Sequence, residues 1–130
     1  MSATLNIAPA SSADQIAAVR TLFREYQALL GVDLSFQGFE SELDDLPGDY
    51  VPPGGRLYLA THDGNAVGCV ALRAFSGPRC EMKRLFVRPS ARGLGVGRAL
   101  VSVILDEART IGYSEVVRET LPTMSDGQRL

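Results

Sequence analysis

Arg88-Pro89-Ser90-Ala91-Arg92-Gly93-Leu94-Gly95-Val96-Gly97-Arg98 lies where one hydrophobic period gives way to another. Before it, Cys80–Val87 reads as a strand. After it, Gly97, Leu100, Val101, Ile104, Leu105 and Ala108 recur at helical spacing, and Gly112 closes the run as a C-cap. A strand that enters a helix through three spaced glycines has the parts of an anion site. The first N–H groups of a helix lack internal partners, and the helix dipole is positive there. Glycines let the backbone take left-handed conformations and approach a ligand closely. Arg92 and Arg98 add charge.

Working outward, the flanks set the fold class. Ser114–Leu121 reads as a strand, so strand, glycine turn, helix and strand form a βαβ unit whose strands run parallel. Upstream, Arg56–His62 and Ala66–Phe75 are strands joined by Asp63-Gly64-Asn65, and Ser76-Gly77-Pro78-Arg79 turns the chain into Cys80–Val87. Thr4–Ile7 is a short first strand. Ser12 and Gln15 form a capping box before a helix whose face carries Ile16, Val19, Leu22, Phe23, Tyr26, Leu29 and Leu30, ended by Gly31. Gly38–Leu46 is a short acidic helix stopped by Pro47. The expected class is α/β of the α+β type: an antiparallel meander running into a parallel βαβ pair, with helices on both faces of a mixed sheet. Cys69 and Cys80 fall on neighbouring strands but out of register, which predicts buried free thiols.

The glycine turn admits several readings. It could be a tight strand–helix connection whose glycines serve packing alone. A Walker A loop needs Lys-Ser or Lys-Thr after the last glycine, and Arg98-Ala99 stands there. A dinucleotide fingerprint needs G-x-G-x-x-G in an all-parallel unit, whereas Gly93, Gly95 and Gly97 follow an antiparallel meander. What remains is Arg92-x-x-Gly95-x-Gly97, preceded by Met82-Lys83-Arg84-Leu85-Phe86-Val87-Arg88-Pro89. This combination resembles the acetyl-CoA motif of the GNAT superfamily of N-acetyltransferases, most strongly over Glu81–Tyr113. Glu119-Thr120-Leu121-Pro122-Thr123-Met124 is similar to that family's fifth strand and the approach to its next helix.

The resemblance implies the acyl-CoA N-acyltransferase fold, with acetyl-CoA as co-substrate and an amine as acceptor. It places the pyrophosphate on the N–H groups of Arg92, Gly93, Leu94, Gly95, Val96, Gly97 and Arg98. It lays the pantetheine arm along the main chain of Leu85, Phe86 and Val87, where an N–H polarises the thioester carbonyl. It also implies a homodimer, and a helix over Ser125–Leu130 that continues through a tyrosine donating a proton to the departing thiolate. The sequence ends at Leu130 without that tyrosine. The expectation is therefore a domain truncated after Leu130, a sheet completed by a partner, or an acyl-CoA-binding sensor or subunit without catalysis.

An amine acceptor arrives as an ammonium ion and must lose a proton before it attacks. Glu81 is the candidate base, as the one acid in the basic stretch from Arg79 to Arg98; strand alternation sets Glu81, Lys83, Leu85 and Val87 on one face unless a bulge intervenes. An ion pair with Lys83 is the competing role, and Glu119 is the second candidate base. His62, the single histidine, sits beside a turn and is read as a surface residue. No cysteine has a neighbouring histidine, so direct attack in a ternary complex is favoured over a covalent enzyme intermediate.

Composition bounds these readings. A chain of 130 residues is expected to form one domain. A net charge of -2 argues against nucleic acid as a partner. Six acids and no base lie between Asp33 and Tyr50, so the acceptor is read as small and cationic, or the run as solvated surface. No Cys/His cluster has metal spacing, and no stretch has the length of a membrane span. Without a signal-like N-terminus the expected location is the cytoplasm.

Overall fold

The computed structural model describes residues 4–31, 38–118 and 127–129, the last by backbone alone. The elements in chain order are β1 (Leu5–Pro9), α1 (Ala13–Leu30), α2 (Phe39–Asp45), β2 (Arg56–His62), β3 (Asn65–Ser76), β4 (Arg79–Val87), α3 (Val96–Ile111), β5 (Glu115–Arg118) and β6 (Gly127–Arg129). They form a mixed sheet in the order β1-β2-β3-β4-β5-β6. Among the described strands, only β4 and β5 pair in parallel; the other neighbours are antiparallel. The parallel pair is the one that α3 bridges, as a crossover requires.

Local chemistry explains the element ends. The Ser12 hydroxyl accepts the Gln15 N–H while the Gln15 amide oxygen accepts the Ser12 N–H, a reciprocal capping box. Gly31 and Gly112 close α1 and α3 in the left-handed region. Helices cover both faces of the sheet. Ile16, Val19, Leu22 and Phe23 of α1, with Phe39 and Leu43 of α2, pack on Leu57, Leu59, Cys69, Ala71 and Phe86. On the other face, Val96, Leu100, Ile104 and Ala108 of α3 meet Tyr58, Val70, Leu72, Cys80, Met82 and Val116. Double coverage makes the middle of β3 an unbroken buried run instead of an alternating one. Burying each large apolar side chain stabilises the fold by roughly 1.5–3 kcal/mol.

Three expectations need correction. Leu29 is 54% exposed; in the last turn of α1 it is Leu30 that packs against the core. Gly127–Arg129 is a strand and not part of a helix; it pairs antiparallel with β5, whose free edge offers backbone partners that a glycine-led helical turn would not gain. The third concerns β4. Cys69 faces Phe86 and Ala71 faces Lys83, so one β3 residue opposes two of β4, Arg84 and Leu85. This bulge resets alternation. Cys80 and Met82, and beyond the bulge Leu85 and Val87, pack on the α3 side. Glu81 and Lys83 lie on the α1–α2 side, opposite Leu85. Both cysteines are buried and not joined in a disulfide, and Cys80 faces Ala74, not Cys69.

Candidate active site

The turn after β4 is held from both ends. The Arg88 N–H donates to the Val67 carbonyl at 2.8 Å. Its guanidinium donates to both carboxylate oxygens of Glu25 on α1, at 2.9 and 2.7 Å, and to the Ala66 carbonyl at 2.8 Å. Pro89–Ala91 then makes one 3-10 turn, and Ala91 is buried beneath it. Gly93 and Gly95 follow at φ of 89° and 79°, a conformation that side chains with a Cβ resist. Gly95 is the N-cap of α3 and no side chain caps it. The first helical hydrogen bond runs from the Ala99 N–H to the Gly95 carbonyl. The N–H groups of Val96, Gly97 and Arg98 therefore have no acceptor within the helix.

These residues line a cavity of about 580 Å³ formed by Val87, Ala91, Arg92, Gly93, Gly95, Val96, Gly97 and Arg98. A Cβ built on Gly93 or Gly95 would meet nothing within 4 Å, so the space in front of this backbone is open. Uncapped N–H groups, the positive end of the dipole of a 16-residue helix and two exposed arginines converge on it. An anion such as a pyrophosphate fits this arrangement. Leu94 stands apart from the lining and is 53% exposed.

The other sequence-selected residues fall in separate places. Leu85 lines a smaller cavity with Tyr26, Met82, Arg84 and Arg118. Phe86 turns into the core, edge-on to Tyr26 at 6.1 Å between ring centroids. Glu81 is a cross-strand partner of Arg73 and forms an ion pair with it, Nε to Oε1 at 3.0 Å. Glu119 lies outside the described residues. The Cys80 thiol is pushed up to about 11, chiefly by burial, which keeps it protonated near neutrality and unsuited to nucleophilic attack. Among the described residues, no group of three or more His, Cys, Asp or Glu is placed to hold a metal ion. No helix among them is long and apolar enough to cross a membrane.

The sequence reading missed a buried polar network on the α2 side. Arg84 is fully buried and donates from Nε and Nη2 to the two carboxylate oxygens of Glu42, at 3.0 and 3.1 Å. Its guanidinium stacks over Phe39 at 4.9 Å. Burial pushes the Glu42 carboxyl upward, but hydrogen bonding and charge from Arg84, with Lys83 and Tyr50 assisting, leave it below the usual range. Burial and the Glu42 charge raise the Tyr50 hydroxyl well above its ordinary value. Glu42, Tyr50 and Arg73, with Ser41, Asp44, Asp45 and Asp49, line an acidic cavity of about 490 Å³. The acidic run signalled this region, but nothing local in the sequence pairs position 42 with position 84.

Residues 17–128 match the family described as "Acetyltransferase (GNAT) family". An N-acetyltransferase of Schizosaccharomyces pombe, itself named uncharacterized, is 43% identical over 113 residues, spanning 85% of this chain and 69% of that protein. The crystal structure of a GNAT-family acetyltransferase from Staphylococcus aureus Mu50 superposes with a TM-score of 0.76 at 19% identity, over 91% of this chain and 74% of that one, a likeness of fold. N-acetylglutamate synthase from Neisseria gonorrhoeae, complexed with coenzyme A and N-acetyl-glutamate, is similar over 95% of this chain and 27% of that one, at 28% identity and a TM-score of 0.66.

Proposed function

Because this chain belongs to the GNAT acetyltransferase family, we propose that it moves the acetyl group of acetyl-CoA to a primary amine of a small cationic molecule or peptide, by direct attack in a ternary complex. The observation that carries the reading is the open cavity at the uncapped N-terminus of α3, where Gly93 and Gly95 present backbone and Arg92 and Arg98 present charge. Acetyl-CoA supplies the activated thioester. The backbone of Arg92–Arg98 holds its pyrophosphate. The main chain of Leu85–Val87, on the edge of β4 beyond the Arg79–Met82 ladder with β5, holds the pantetheine arm and directs an N–H at the thioester carbonyl.

The acceptor side is the acidic cavity beside α2. Its carboxylates favour a cation over a neutral or anionic acceptor. Glu81 takes the amine proton, directly or through water. Its position on the α1–α2 side, paired with the Arg73 that lines the acidic cavity, supports this role. The neutral amine then attacks the carbonyl carbon, the C–S bond breaks, the thiolate leaves, and the nitrogen gives up its surplus proton to the thiolate through water. A thiol pKa of about 8.5 makes it a fair leaving group without a dedicated acid.

Two measurements test the reading. Acetyl-CoA should raise the melting temperature, and NAD should not. Free thiol should appear from acetyl-CoA faster with added polyamines or diamines than with buffer alone. A melting shift with NAD and none with acetyl-CoA would overturn the assignment.

A further inference from the structure

The bulge in β4 is built on an unfavourable residue. Arg84 sits at φ 59°, in the left-handed region that such bulges usually give to glycine. It also carries a charge into the interior, fully buried between the sheet and α2. Both features cost free energy, and Glu42 offsets them. The carboxylate grips the guanidinium by two parallel bonds, and Phe39 closes its open face. The pair also links two cavities. Glu42 lines the acidic cavity, whereas Arg84 lines the small cavity shared with Leu85. Leu85 is the second residue of the bulge, so the conformation of Arg84 decides where the Leu85–Val87 backbone stands.

We propose that the Glu42–Arg84 ion pair is a positioning device for the acyl donor: α2 locks the β4 bulge through it and so sets the Leu85–Val87 main chain to receive the pantetheine arm. The proposal rests on the reading that the arm lies there. It makes Glu42 and Arg84 positioning residues that touch no reacting atom. It also separates two parts of donor binding. The pyrophosphate cradle is anchored by Arg88, Glu25 and the α3 terminus, outside the ion pair. The arm alone depends on the bulge.

The test measures Kd by titration calorimetry for acetyl-CoA and for 3'-phospho-ADP, the fragment with the pyrophosphate and no arm. The proteins are wild type, Glu42→Gln, Glu42→Asp and Arg84→Gly. Arg84→Gly keeps the left-handed conformation accessible while removing the grip. The expected result is about tenfold or greater weakening of acetyl-CoA by Glu42→Gln and Arg84→Gly, with the fragment changed less than about threefold. Tenfold corresponds to about 1.4 kcal/mol, the worth of one or two net hydrogen bonds to the arm. Glu42→Asp keeps the charge and should recover part of the loss. If Glu42→Gln does not fold, the same contrast is read from the other two variants. Unchanged acetyl-CoA affinity in a folded variant overturns the proposal, and so does an equal loss for both ligands. Wild-type protein that binds acetyl-CoA no better than the fragment refutes the placement of the arm itself, a different failure seen before any variant is compared.

Discussion

Gly97→Ala separates binding from folding more cleanly than any other change in the glycine turn. Gly97 is within the first turn of α3 with ordinary helical backbone, and a Cβ there would touch only Val87 Cγ2 at 3.6 Å, a normal contact. Replacing a helical glycine by alanine is worth roughly 0.5–1 kcal/mol in favour of the helix. The unliganded variant should therefore melt at or a few degrees above wild type. The added methyl group, however, stands on backbone proposed to meet a phosphate. Loss of one charge-assisted hydrogen bond costs about 1.5–3 kcal/mol, or roughly ten- to hundredfold in Kd. With acetyl-CoA at about a hundred times the wild-type Kd, ligand stabilises wild type by about 2.7 kcal/mol. A tenfold weaker variant would keep about half of that, and a hundredfold weaker one about 0.4 kcal/mol. Taking roughly 4 °C per kcal/mol for a chain of this size, a shift near 11 °C should fall to about 6 °C or less. Differential scanning fluorimetry with and without acetyl-CoA reads both numbers. Equal ligand shifts in wild type and Gly97→Ala would refute the cradle and leave the glycine as a packing device. Gly95→Ala is the less clean partner: at φ 79° it carries about 1–2 kcal/mol of backbone strain whether or not a ligand binds.

Arg92→Ala should weaken acetyl-CoA and flatten the salt dependence of its Kd, since one cation leaves the rim of the cavity; an unaltered salt slope by calorimetry would show that Arg92 makes no phosphate contact. Glu81→Gln should lower turnover by about a hundredfold or more with little change in acetyl-CoA affinity, and the deficit should shrink toward alkaline pH as the acceptor arrives deprotonated. A near-wild-type pH–rate profile would leave Glu81 as the cross-strand partner of Arg73, worth at most about 1 kcal/mol. Acid stability carries a further sign. Glu42 is depressed below the ordinary 4.5, so the stability it contributes is fully present above about pH 4.5 and is lost as pH falls through its lower folded value. Denaturation midpoints of wild type and Glu42→Gln should differ by a constant amount near neutrality and converge below pH 4.5; parallel curves into strong acid would contradict the pairing.

The parts of this molecule that were legible in the sequence are those set by short-range periodicity and by single backbone conformations. The capping box at Ser12, the glycines at 93 and 95, the α3 stripe from Leu100 to Ala108 and the hairpin at Asp63–Asn65 each declare themselves within a few residues. What escaped depends on pairing. A bulge belongs to two strands at once, and this one is marked by an arginine where glycine would have announced it, so simple alternation carried Glu81 to the wrong side of β4 relative to Leu85. The strand at Gly127–Arg129 exists by virtue of the edge that β5 leaves open. Charge was the subtlest case. The basic run from Arg79 to Arg98 reads as one anion-binding surface, yet the fold divides it. Arg88 is bound to Glu25, Arg84 is buried on Glu42, and Arg92 and Arg98 are left exposed beside the α3 terminus. The acidic run divides in the same way, with Glu42 turned inward onto Arg84 and Asp44, Asp45 and Asp49 lining the cavity outside it. One carboxylate and one guanidinium, taken out of two runs that look like solvated surface, thus join the acidic cavity to the strand proposed to carry the thioester. A count of charges along the chain has no means of selecting that pair; only the register of β4 against β3 and the seat of α2 above it do so.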